Sequence, residues 1–228
     1  MDPKPESKKG NTRQRILLAA IQLAARHGFA GISFQMIADE LGLSQPAVLY
    51  HFSSKDALNE ELIRTIIRHN HKIVMGLIEL TDDAGRRLLK HCLGNVMWAL
   101  RYRQEDAQVL ILLYSLAARN KTFSDLFKQM IAGGRERLAA HLLAGVKEGQ
   151  FRLKEEPALL AQILQDELFG AMLYAAAAPE GSVNLDELEE KWKTVIAAFT
   201  GWAYMGTSSV VPAAQAAMKA SALNRTLL

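Results

Sequence analysis

Apolar residues return every three or four positions along almost the whole chain, and no sustained β-branched alternation bounded by turn residues interrupts them. That period belongs to the helix, so the pattern predicts an all-α protein. Ile16, Ala20, Leu23, Ala24 and His27 align on one face of a first helix, with Asn11 or Thr12 as its N-cap and Gly28 at its end. Phe29 to Ile32 is a short connection. Ser33 then caps a second helix carrying Met36, Ile37 and Leu41, which stops at Gly42. Ser44 caps a very short third helix from about Gln45 to His51, with Pro46 in the first turn, where its missing N–H costs nothing. Ser53, three residues ahead of Asp56, has capping-box spacing for a long fourth helix through Leu58, Leu62, Ile66 and Ile73.

Beyond Leu80 the predicted helices are longer and more apolar, at roughly 84 to 103, 105 to 119, 122 to 148, 157 to 178 and 185 to 204. After Gly206 comes an Ala-rich tail of poor periodicity, either a loose helix or disordered, with no assigned role. The expected organisation is a basic arm over 1–11, a three-helix helix-turn-helix domain over 12–56, a larger helical-bundle ligand-binding and dimerisation domain over 57–206 with 57–80 as connector, and the tail over 207–228.

Composition narrows the class. Half of the 228 residues are apolar, yet no apolar run reaches the eighteen or so residues that a membrane span needs, and the charged start MDPKPESKKG has no apolar core, so neither a signal peptide nor an anchor is expected. A single cysteine, Cys92, excludes an internal disulfide and fits a cytoplasmic protein. The net charge of +3 is unevenly placed: residues 1 to 75 hold ten Lys or Arg against seven Asp or Glu, and the remainder holds seventeen of each. That asymmetry suits a polyanion-binding head on a neutral body.

Residues 33 to 52, SFQMIADELGLSQPAVLYHF, have the mechanics of a helix-turn-helix. Ala38 is small where two helices cross, Gly42 can take the positive φ of a tight turn, and Leu43 plugs the junction. Val48 and Phe52, four apart, point into the core with Ile37 and Leu41. The opposite face offers Gln45, Ala47, Leu49, Tyr50 and His51, groups that meet base edges, thymine methyls and phosphates. Lys55 stands where it can meet a backbone phosphate together with the N-terminal amides of the next helix. By spacing alone the segment is either such a reading head or a helical hairpin of the kind many bundles contain.

Residues 12 to 62 resemble the DNA-binding domain of the TetR family: a first helix closing in HGFAGIS, then IADELGLS, a recognition helix ending in YHF, then SSKDAL. The resemblance implies contacts to double-stranded DNA from Ser33, Gln35, Gln45, Pro46, Ala47, Leu49, Tyr50, His51 and Lys55, with Ser44 at the head of the recognition helix. One departure is Leu49, where members commonly carry an aromatic residue, usually Tyr; here Tyr50 follows one place later. Leucine cannot donate to a phosphate, so that contact is lost or passes to Tyr50. The arm with Lys4, Lys8 and Lys9 adds phosphate or minor-groove contacts, or only solubility.

One recognition helix reads few bases, so a homodimer on a palindromic operator is expected. Leu160, Ile163, Leu164 and Leu168 form one apolar stripe, and Leu185, Leu188, Trp192, Val195, Ile196 and Phe199 another. The resemblance implies that such helices pair into a four-helix bundle between protomers, with Gly170 and Ala171 permitting close approach; alternatively the stripes fill the protomer's own core. Trp98, Tyr102, Tyr114, Phe127, Met130 and Phe169 are the candidate lining for a largely apolar effector, whose binding, by the resemblance, moves the fourth helix and respaces the heads. No cofactor is expected. His69 and His71 face different sides of a helix and His91 adjoins Cys92 without a second thiol, so no metal site is expected; no nucleophile, base and orienting group assemble, so neither is an enzyme. The expected function is a repressor released by a small molecule. Its rivals are a helical scaffold whose hairpin docks a protein, and a constitutive DNA-binding protein.

Overall fold

A computed structural model of the chain describes residues 5–204 and 209–223. Helices occupy most of them: α1 (Pro5–Gly31), α2 (Phe34–Leu41), α3 (Gln45–His51), α4 (Lys55–Met75), α5 (Ala84–Arg101), α6 (Asp106–Ala117), α7 (Lys121–Lys147), α8 (Pro157–Ala177), α9 (Leu185–Thr200) and α10 (Val211–Leu223). No strand occurs among the described residues. The all-α fold class follows from the 3.6-residue apolar period.

Two details depart from the sequence reading, and the tail takes the helical one of its two alternatives. α1 begins at Pro5, so Lys8 and Lys9 belong to a helix and not to a flexible arm; Lys4 lies outside the described residues. The cap of α4 is Ser54, whose Oγ accepts from the Ala57 amide at 3.1 Å, and not Ser53. The tail contains a helix, α10, whose Val211, Ala214 and Met218 are buried along with Val210 just ahead of it.

The chain divides into two compact units. Met1–His69 with Gln104–Phe127 form the first, and Asn70–Arg103 with Lys128–Leu227 the second, so the divisions fall inside α4 and α7. In the first unit α1 breaks at Gly28, whose φ of 70° leaves the helical range. The break turns Phe29 and Ile32 into the core, where they join Ile16, Ala20, Ile37, Val48, Leu58 and Leu62, and the Phe29 ring lies 4.9 Å from that of Phe123. His69 Nδ1 and an Asp106 carboxylate oxygen meet at 2.6 Å, with both side chains at most 3% exposed.

In the second unit α5 is the central element. From Leu88 to Ala99 every residue is buried, and α8, α9 and α10 all pack against the helix. Gly85 permits one of these contacts: a Cβ there would lie 2.0 Å from Cε2 of the Trp202 indole. The buried lysine and the two buried carboxylates of this core are paired. Lys90 Nζ donates to Asp82 Oδ2 at 2.7 Å, and Asp82 also accepts the Glu79 amide. Glu189, 2% exposed on α9, accepts from the Ser209 hydroxyl and the Val210 amide and pairs with Lys193 at 3.0 Å, which fastens the start of α10. Burial works against the Glu189 charge, but the Ser209, Lys193 and Val210 contacts outweigh it and hold its pKa below the ordinary value.

Candidate nucleic-acid interface

Two N-caps and one left-handed glycine shape the segment from Ser33 to Phe52. Ser33 Oγ accepts from the Met36 amide at 3.1 Å and starts α2. Gly42 closes it at φ 64°, a region that costs a side-chain-bearing residue, and the Leu43 amide returns to Ala38 O at 2.8 Å. Ser44 then caps α3 by accepting from the Ala47 amide at 3.3 Å, with Pro46 in the first turn. A serine that accepts with Oγ still has its O–H proton to donate, so both caps keep a group for a phosphate.

The seven residues of α3 then sort by face. Val48 is 0% exposed and Phe52, just past the helix, 3%. The Arg13 guanidinium covers the Phe52 ring at 4.9 Å and pairs with Glu61 at 3.5 Å, tying α1, α3 and α4 together. Gln45, Pro46, Leu49 and Tyr50 are exposed, and Ala47 and His51 half-buried. Tyr50 stands out at 70% exposure, against 40% for Leu49, with its ring edge-on to His51. Gln35 on α2 is exposed and donates to Asp39 at 2.6 Å. Lys55 Nζ donates to Ala30 O at 3.0 Å, which joins α4 to the end of α1 and leaves two ammonium protons for a phosphate. Ile32, Ser33, Phe34, Gln45, Lys55 and Leu58 line a small cleft of about 210 Å³ here. All ten residues expected at a DNA surface thus lie within one stretch of the first unit.

The other two expected sets are not brought together. Of the dimer set, Leu160, Leu164, Leu168 and Trp192 are at most 2% exposed within a single protomer; they fill its core and are not available to a partner. Ile163 is 40% exposed, and Leu188, Val195 and Phe199 are half-buried. The apolar face that α8 leaves open is Leu159, Ile163 and Tyr174, one helical stripe displaced from the expected one. The apolar pattern alone could not say which side of so hydrophobic a helix faced inward.

The expected effector lining divides between the units. Tyr114, 51% exposed, and Phe127 belong to the first, with rings 5.7 Å apart; Trp98, Tyr102, Met130 and Phe169 belong to the second, where Trp98 and Tyr102 are buried side by side at 5.9 Å. Cys92 is fully buried, which pushes its thiol pKa up and leaves it unreactive.

A capped seven-residue helix held through Val48 while its far side stays open, set behind a glycine turn, makes this segment a helix-turn-helix, an arrangement that reads DNA in the proteins that use it so. Residues 16–62 match the family model described as bacterial regulatory proteins, tetR family. Among curated proteins, the HTH-type transcriptional repressor KstR2 of Rhodococcus jostii is 24% identical over 205 residues, covering 86% of this chain and 96% of that one. An uncharacterized HTH-type transcriptional regulator of Bacillus subtilis, YerO, is 25% identical over 178 residues, 78% of this chain; the match spans only 60% of the Bacillus protein's length. A transcriptional regulator from Saccharomonospora viridis, solved in complex with choline, shares the fold with a TM-score of 0.68 at 24% identity, covering 84% of this chain and 98% of that one. Residues 16–62 thus carry the tetR-family DNA-binding pattern, and the described chain as a whole shares its fold with the solved regulator.

No helix among the described residues is long and apolar enough to cross a membrane.

Proposed function

We propose that this chain is a cytoplasmic repressor that binds a palindromic operator as a homodimer and leaves it when a small molecule binds. The observation that carries the reading is the division of α3 into a buried Val48 and an open Gln45–Tyr50 face, held by the Ser44 cap. Base contacts come from Gln45, Ala47, Leu49 and His51, and phosphate contacts from Ser33, Gln35, Ser44, Tyr50 and Lys55, with Pro46 in apolar contact beside the backbone. Tyr50, the most exposed large side chain on the helix, takes the donor role that Leu49 cannot. Residues 12–56 act as the reading head, and 57–206 carry effector binding and dimerisation.

Two protomers place two heads on a two-fold site. The open Leu159, Ile163 and Tyr174 stripe on α8, with the half-buried Leu188, Val195 and Phe199 of α9, supplies the pairing surface. Support for a small-molecule effector comes from the choline complex of the Saccharomonospora regulator.

The test is a gel-shift titration of the full chain against the DNA flanking its own gene, with scrambled DNA as competitor at moderate salt. A sequence-preferring complex with two protomers per site is expected. No preference over scrambled DNA overturns the reading in favour of a helical scaffold.

A further inference from the structure

The second unit gathers basic groups that hold no carboxylate in an ion pair among the described residues. His91, Trp98 and the intervening Asn95 lie at helical spacing on one face of α5, and all three are buried. Asn95 is satisfied, donating to His91 O at 2.8 Å and accepting from Asn70 at 3.0 Å. His91 Nδ1 and Trp98 Nε1, however, are enclosed without a hydrogen-bond partner. Buried polar atoms are ordinarily hydrogen-bonded, so two open ones on one helix face are candidate ligand contacts.

α7 meets this face with two further basic residues, Arg137 and His141, four apart. The His141 ring sits edge-on to His91 at 5.0 Å between centroids. α8 contributes Gln165, 8% exposed, which comes so close to α7 that a Cβ on Gly134 would lie 2.1 Å from its Oε1.

The electrostatics of these residues differ from their surroundings. Arg87, Lys90 and Arg135 hold the carboxylates of Glu148, Asp82 and Asp166 at 2.6, 2.7 and 3.3 Å. Arg137 holds none among the described residues, although it is half-buried; its sequence neighbour Glu136 is exposed. Burial lowers the Arg137 pKa, and burial followed by the charges of His141, Arg137 and His71 pushes that of His91 down to about 3. For His141, burial and then Arg87 bring it to about 4. The cluster thus repels protons, and an added negative charge would relieve it.

We infer that His91, Arg137 and His141, with the Trp98 indole N–H, form the binding site for the carboxylate of a small organic anion, His71 standing at the exposed end. The guanidinium of Arg137 pairs with a carboxylate oxygen, and His91 Nδ1 and Trp98 Nε1 donate to the anion once the imidazole takes the matching tautomer or a proton. A metal is a poorer fit, since no three His, Cys, Asp or Glu residues converge among the described residues. The inference deepens the effector reading proposed above, and rests on it only for the consequence that this ligand releases DNA.

The test is calorimetric titration of the full chain with octanoate and phenylacetate, their neutral amides, and choline. Both acids are expected to bind, with each amide weaker by about tenfold or more, the worth of a charge-assisted bond. Arg137→Gln, at a half-exposed position, should bring the acids down to the level of the amides, while Arg137→Lys retains part of the preference. Acids no better than amides, a preference for choline, no binding by any probe, or full acid affinity in Arg137→Gln overturns the site. A gel shift run alongside separates the two readings. Acid binding with these preferences while the DNA complex persists keeps the anion site and removes the release mechanism. Release by a compound that binds equally as acid or amide does the reverse.

Discussion

Val48 and Tyr50 are two residues apart on α3 and point in opposite directions, one 0% and the other 70% exposed. Their substitutions should therefore separate folding from reading. Tyr50→Ala is expected to weaken specific DNA binding by about 1–3 kcal/mol while leaving the melting temperature unchanged. Val48→Ala should cost about 1–3 kcal/mol of stability by opening a cavity under the recognition helix. Fluorescence anisotropy on labelled operator and thermal melts read the two effects. Full-strength binding by Tyr50→Ala would move the recognition face elsewhere.

Gly42 gives a test of the turn itself. Nothing lies within 4 Å of a Cβ placed there, so substitution meets no clash, and its cost comes from the 64° φ alone. Gly42→Ala should destabilise by about 1–2 kcal/mol, and Gly42→Asn by less, because asparagine tolerates the left-handed region. Urea midpoints measure the difference; an alanine variant as stable as the parent would mean that the turn rearranges.

The reading head was legible because its constraints are local. Ser33, Gly42 and Ser44 are chosen by backbone geometry within a few residues, and a capping serine or a left-handed glycine declares itself in sequence. Ser53 and Ser54 offer the same capping chemistry, and only the start of α4 decides for Ser54. The second unit was legible as helices but not as faces. α5 is buried on every side and α8 is apolar nearly throughout, so periodicity had no polar face by which to orient Leu160, Leu164 and Leu168. The basic cluster went unseen for a related reason: His91 and His141 lie fifty residues apart, and only tertiary packing brings them together.

The pairing surface proposed above uses the open α8 face. Ile163→Asp together with Tyr174→Asp places charges on exposed positions and should yield folded monomers by light scattering, with helicity retained. Trp192→Asp should instead prevent folding, since it puts a carboxylate into a fully buried site in each protomer. A double variant that stays dimeric would place the seam on other elements.

His91 and His141 make stability depend on pH in a defined direction. Their folded pKa values, about 3 and about 4, lie below the unfolded value near 6.5, so between these limits the unfolded chain binds more protons. The contribution is complete above about pH 6.5 and is lost as pH falls. For buried His91 the loss approaches about 2 kcal/mol between pH 6.5 and 5. Urea unfolding at the two pH values should show it, and His91→Gln should flatten the dependence. Equal slopes in parent and variant would assign the effect to other groups.

The packing of Gly85 under Trp202 links two positions more than a hundred residues apart. Because even a methyl group on residue 85 would occupy the space of the indole, neither site can drift alone. In any set of descendants of this chain, a larger residue at 85 should arrive only with a smaller one at 202, so that the pair is inherited as a unit and marks lineages that keep this docking of the chain's last segment.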